Sequence, residues 1–224
     1  MSFYIKTRTR YVPPSLLFLH FRCSSKEILT HSGRVCWSRR DFVHMETTWN
    51  GKKLHVINIH LKANFLVPEK TVEGKPLPMP TQITAADGLI RSEVFRFSQA
   101  KRVRELVDSL FEANPDAYIL IGGDFNAEEN YATFRIIQGV LPGASDTLVE
   151  AGLDIEPARR FSSLSTTMGR KRLLDHFLLS KGLSSHLKNI QILNENISEN
   201  INKTSAPTPT LVETDHAPVA MELN

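Results

Sequence analysis

The chain has 224 residues and a mass of 25.3 kDa, with 41% apolar and 23% charged residues, the balance of an ordinary globular protein of one or two domains. Its apolar runs, such as Leu16–Phe21 and Ala117–Ile121, fall far short of the roughly 20 residues of a membrane-spanning helix. Lys and Arg number 27 against 24 Asp and Glu, a formal charge of +3, too small a surplus to argue by itself for a nucleic-acid surface. Two cysteines, Cys23 and Cys36, exclude a disulfide framework and a zinc knuckle. Lys6, Arg8 and Arg10 precede Leu16–Phe21, but Pro13, Pro14 and His20 break the apolar core that a secretory leader needs, so a cytoplasmic protein is expected.

Residues 1–32 carry no clear pattern and are expected to be irregular, with a folded domain over 33–224. Residues 41–48 and 53–62 read as two strands joined by Trp49-Asn50-Gly51-Lys52, because Asn-Gly tolerates the positive φ angles of a tight hairpin. The second strand is apolar on both faces in its middle, as in a sheet covered on both sides. Residues 64–95 contain four prolines and no period, which predicts a long loop or insertion. A helix follows over Phe97–Asn114, with Ala100, Val103, Val107 and Leu110 as its apolar stripe. Ala117–Ile121 is a short buried strand, and the helix-to-strand step is that of a layered α/β protein. After a short helix at Ala132–Gln138, strands are predicted at Phe161–Thr167, Leu173–Ser180, Lys188–Asn194 and Pro218–Leu223, with a loop over 195–213.

Four places put polar groups at the ends of buried strands. In Gly122-Gly-Asp-Phe-Asn126 the glycines permit a sharp turn, and on an extended chain Asp124 and Asn126 share one face while Phe125 points into the core. A carboxylate and an amide oxygen suit a hard cation such as Mg²⁺, though an Asx turn explains these residues equally well. Thr214-Asp215-His216-Ala-Pro218 precedes the last strand, where adjacent Asp and His diverge and would serve different roles. Asp175 shares a face with Leu173, Phe177 and Leu179 and needs a partner if buried, a histidine being the natural one, whereas His176 faces the other way to pack or meet solvent. His60 ends the strand after the hairpin. His20, His31, His44, His55 and His186 have no spacing that suggests a zinc site and are expected to be structural or surface residues.

In this order, His60-Leu-Lys62, Gly123-Asp124-Phe-Asn126, Leu174-Asp175-His-Phe-Leu178 and Asp215-His216-Ala-Pro-Val219 resemble the endonuclease/exonuclease/phosphatase superfamily, which includes deoxyribonuclease I-like nucleases. Ser38-Arg-Arg-Asp-Phe42 resembles the family's strand before the hairpin. The resemblance implies a four-layer α/β/β/α sandwich and a Mg²⁺- or Mn²⁺-dependent phosphoester hydrolase. It implies that His216 activates or orients water, that Asp175 holds the imidazole, and that Asp124 and Asn126 position the nucleophile, the phosphate or a metal. It places Asp215 at the metal and has His60 donate to a non-bridging phosphate oxygen. Phosphoryl transfer needs positioning and charge neutralisation more than covalent help, in keeping with such residues.

The family's early metal-ligand Glu, after Gln, has no counterpart before His60, so the chain is expected to lack the first strands and to have an impaired metal site. Glu128 and Glu129 are the nearest acids that could reach in. A nuclease-type phosphodiesterase is the leading expectation. The alternatives are a silent binding module and a phosphatase acting on small or lipid phosphoesters. Nucleic acid is narrowly favoured as substrate, with Lys62, Arg91, Arg96, Lys101, Arg102 and Arg170–Arg172 available to neutralise its backbone.

Overall fold

The structure, a computed structural model, describes residues 2–5 by their backbone, and 42–141, 143–164, 170–195, 197 and 216–224. Strand β1 is Ser2–Ile5, and β2 (Val43–Trp49) and β3 (Lys52–His60) form the predicted hairpin. Its turn residues Asn50 and Gly51 both have positive φ, 49° and 72°, as a two-residue turn between twisted strands requires. Helix α1 runs from Gln82 to Ala113, followed by β4 (Tyr118–Asp124) and α2 (Ala132–Gln138). Strands β5 (Val149–Glu150), β6 (Ser163–Leu164), β7 (Lys171–Arg172) and β8 (Asp175–Leu179) follow, then α3 (Lys181–Ser184), β9 (Leu187–Ile192) and β10 (Val219–Leu223).

Two main sheets carry the architecture. The larger has the order β2-β3-β4-β8-β5, with β3 and β4 parallel and the other pairs antiparallel. The smaller has the order β1-β10-β9, all antiparallel. One apolar cluster, including Leu54, Leu120, Phe177, Val219 and Met221, lies between the sheets. A second, including Ile57, Ile121, Val103, Val107, Phe134 and Ile137, fills the space between the larger sheet and α1 with α2. The sequence of β3 shows why: Leu54 and Val56 join the first cluster while Ile57 and Ile59 join the second, so the strand is apolar on both faces.

Three expectations are corrected. Ser2–Ile5, within the segment expected to be irregular, pairs with β10; four residues are too few to show an alternation, and the pairing is long-range. Leu16–Phe21 lies outside the described residues. The expected loop over 64–95 ends at residue 81, because α1 begins with Thr81 as its cap. Its side chain accepts from the Thr84 amide while the Thr84 hydroxyl accepts from the Thr81 amide, a reciprocal cap built from Thr-x-x-Thr where Glu or Gln is the usual second partner. All four prolines precede it. Finally, Phe161–Thr167 contributes only the short strand Ser163–Leu164 among the described residues.

Candidate active site

The sheet brings three of the predicted residues into one row. His60 is the register partner of Asp124 across β3 and β4, and Asp124 is the partner of Asp175 across β4 and β8. His216, on the approach to β10, reaches Asp175 from the second sheet, and its Nδ1 lies 2.7 Å from Asp175 Oδ2. Because a carboxylate only accepts, Nδ1–H donates in this bond and Nε2 faces away from Asp175. Asp175 is 2% exposed, and its Oδ1 has no hydrogen-bond partner among the described residues.

The glycines of the second motif fix the register. Gly123 has φ 146°, and a Cβ there would stand 1.9 Å from the carbonyl oxygen of Ile59, so only glycine allows the neighbouring strand this close. The chain after it is not extended. Asn126 has φ 48°, and its amide N–H donates to Asp124 Oδ1 at 2.8 Å. The Asx turn and the carboxylate–amide pair are therefore the same structure. Asn126 Nδ2 donates to Leu61 O at 2.9 Å and to Asp124 Oδ2 at 3.1 Å. Both amide protons are thus committed, and the opposite flip would set Oδ1 against two acceptors; Oδ1 is the atom left to face a ligand. His60, with its side chain 52% exposed, places Nε2 at 3.5 Å from Asp124 Oδ2.

Asp124, Asp175 and His216 bring one donor atom each within 4.8 Å of one another. Two carboxylates, one with an orphaned buried oxygen, form a donor set compatible with a hard divalent cation. Asp215 lies outside the described residues. Glu128 and Glu129 do not supply further ligands: Glu128 lies 3.7 Å from Arg172, and Glu129 is paired with Arg160.

Residues without any motif hold the row in place. The hydroxyl of buried Ser162 accepts from the amides of Leu174 and Asp175, both at 3.0 Å. Ser162 O accepts from the Ala217 amide at 2.6 Å, and Ser163 bridges His216. One serine thus links both partners of the Asp175–His216 pair. His176 packs in the core, and it also carries polar partners that its sequence context did not reveal. It is buried between Phe125 and Phe134, its Nε2–H donates to Ala127 O at 2.9 Å, and its Nδ1 lies 3.4 Å from Glu150 Oε2. Burial alone would lower its pKa, but Glu150, the Ala127 carbonyl and Asp175 together raise it above the ordinary histidine value. Both ring nitrogens face acceptors, which is the surrounding of an imidazolium.

The basic set expected to meet a phosphate backbone is largely occupied. Lys62 Nζ donates to Ala63 O, Phe65 O and Ser92 Oγ at 2.7–2.8 Å. Arg91 Nε donates to Val67 O at 2.9 Å. Arg96 is fully buried, lies 3.6 Å from Glu93, and among the described residues has no hydrogen-bond partner for its guanidinium nitrogens. Arg170 and Lys171 are exposed; Lys171 pairs with Leu164, next to Ser163, and its Nζ lies 4.4 Å from the centre of the Phe161 ring. No helix among the described residues is long and apolar enough to cross a membrane.

The fold is shared with known structures. Truncated TDP2 from Caenorhabditis elegans superimposes with a TM-score of 0.50 at 16% identity, over 83% of this chain and 61% of that one. The 3′ phosphatase NExo from Neisseria, bound to a product DNA hairpin, gives 0.47 at 14% identity over 81% and 64%. An endonuclease/exonuclease/phosphatase family protein from Bacteroides thetaiotaomicron gives 0.41 at 15% identity over 77% and 50%. The chain thus spans less than two thirds of each of these structures. No protein-family model matches the sequence, and no curated protein matches it. The fold is mixed α/β with a central sheet, of the deoxyribonuclease I-like type.

Proposed function

We propose that this chain is a metal-dependent phosphoester hydrolase. The observation that carries the reading is the row His60–Asp124–Asp175 across three neighbouring strands, with His216 hydrogen-bonded to Asp175 at its end. An imidazole oriented by a buried carboxylate is the arrangement of a general base, with Nε2 taking or orienting a proton of the attacking water. His60, at the rim and beside Asp124, donates to a non-bridging phosphate oxygen and offsets its developing charge. Asn126 Oδ1, the acceptor left over by the turn, orients water or contributes to a cation site. Asp124, with Asp215 as the resemblance implies, would hold the cation, Mg²⁺ or Mn²⁺, which would neutralise phosphate charge. Glu150 and His176 act on this site only through the loop they support.

The substrate class follows the same logic. A phosphodiester of nucleic acid is the first choice, because Arg170 and Lys171 are exposed just before Arg172, the register partner of Ser163, which in turn bridges His216, and such cations can meet a second phosphate. The test is a hydrolysis panel of single- and double-stranded DNA, RNA, a bis-aryl phosphodiester and simple phosphomonoesters, with Mg²⁺ or Mn²⁺. His216→Ala should lower turnover by about 10²–10⁴ while the protein remains folded. Equal turnover by His216→Ala would remove His216 as the base, equal turnover by the wild type in EDTA would remove the metal, and no turnover of any substrate would sink the hydrolase reading. Cleavage of the aryl diester with no cleavage of DNA or RNA would remove nucleic acid as the substrate.

A further inference from the structure

The β2–β3 hairpin gathers a second group of metal-binding side chains away from the His60–Asp124–Asp175 row. His44 and Glu46 sit two residues apart on β2 and so share a face. Glu46 is directly opposite His55 on β3, and His44 is diagonal to it. His44 Nε2 is 3.1 Å from His55 Nδ1, and His55 Nδ1 is 3.4 Å from Glu46 Oε1. Donor atoms of all three residues lie within 4.8 Å of one another. Spacing along the chain conceals this group, since the two histidines are 11 positions apart with the turn between them, and it is the register of the hairpin that joins them.

We infer that His44, Glu46 and His55 form a site for a borderline transition-metal dication, Zn²⁺ being the natural occupant. Zinc bonds to imidazole nitrogen and carboxylate oxygen at about 2.0–2.2 Å in tetrahedral geometry, which sets neighbouring donors about 3.3 Å apart. The two measured separations bracket that spacing. Two imidazoles and one carboxylate favour Zn²⁺ over the hard cation that the carboxylates of the other site prefer. Three protein donors leave one position for water.

The surroundings prepare these ligands. Lys53 Nζ binds Glu46 Oε2 at 3.1 Å, which leaves Oε1 turned towards His55. Lys53 also holds the Glu46 carboxyl below the ordinary range. His55 is 7% exposed, and burial pushes its imidazole down, towards the neutral form that binds metal. The site lies five residues before His60 on β3, about 17 Å away at strand rise, too far for one ion to serve both. Its physical effect is to clip the edge strand β2 to β3.

Equilibrium dialysis of the metal-free 224-residue chain against Zn²⁺, in excess Mg²⁺, tests the inference, alongside the thermal midpoint with and without Zn²⁺. Wild type and Asp124→Asn should both retain a Zn²⁺ equivalent and show a raised midpoint. His44→Ala and Glu46→Gln should lose that equivalent, with affinity falling at least tenfold, while their metal-free midpoints match the wild type. Both side chains are at least partly exposed, so the substitutions do not open the core. Retention of Zn²⁺ by His44→Ala and Glu46→Gln with wild-type affinity would overturn the site. So would the absence of Zn²⁺ binding in the wild type, or its complete loss in Asp124→Asn; an N–H···N bond between the two imidazoles would then account for their approach.

Discussion

Gly123 sets the position of Asp124 more firmly than any hydrogen bond does. Its missing side chain lets β3 and β4 approach until a Cβ would meet Ile59 O at 1.9 Å, and its φ of 146° suits no other residue. Gly123→Ala combines a backbone clash with strain, so it should cost about 3 kcal/mol or more, read as a lower urea midpoint. A change below 1 kcal/mol would mean that the strands can part without loss. Asp124 and Asn126 were legible from sequence because glycine punctuation marks a strand exit, and Phe125 does point into the core. Their shared extended face was not, since Asn126 takes the left-handed conformation that an Asx turn favours. Arg96 is expected to meet a phosphate backbone because residue type argues for exposure, yet the helix starts earlier than its apolar stripe suggests. Ser92, Arg96 and Gln99 are thereby carried onto the buried side.

At the scale of elements, β8 shows both what alternation reveals and what it conceals. Asp175, Phe177 and Leu179 share a face as the period of two requires. The other face holds His176, and its partner Glu150 comes from β5, a strand of two residues with no readable pattern. The expectation that His176 packs holds, its ring lying against Phe125 and Phe134, but its polar partners stay hidden for this reason. Its pKa is raised in the folded state, so the stability it contributes is fully present below the unfolded histidine pKa of about 6.5 and is lost as pH rises through the folded value. Urea unfolding from pH 5 to pH 9 should therefore show a decline at the alkaline end that is reduced in Glu150→Gln. Identical pH profiles for the two proteins would show that the pair carries no linked proton. The same pair holds Ala127 O, directly after Asn126, so a buried charge pair supports the turn that presents Asn126 Oδ1.

For the whole molecule, strands β2, β3, β4, β8, β9 and β10 were legible because each is written in local alternation or punctuation. The start of α1 was not, because its first half has no continuous core-facing stripe: Ile83, Ile90 and Val94 are 69%, 61% and 57% exposed. That half is held by the preceding loop. The Val67 amide donates to Gly88 O, Arg91 grips Val67 O, and Lys62 reaches Ser92. At 1.5 Å per residue the 32-residue helix is about 48 Å long, while the seven residues of β4 span about 23 Å. A single uninterrupted helix therefore contains two cooperative units, one fastened to the sheet and one fastened only to a loop. Deuterium should enter the amides of residues 86–92 through local opening, many-fold faster than those around Val103 and Val107, which are released only when the sheet itself unfolds. Uniform protection along α1 would show that the loop grips as firmly as the core. A boundary in exchange near Arg96 would instead mark where the helix leaves the sheet, with no break in its backbone.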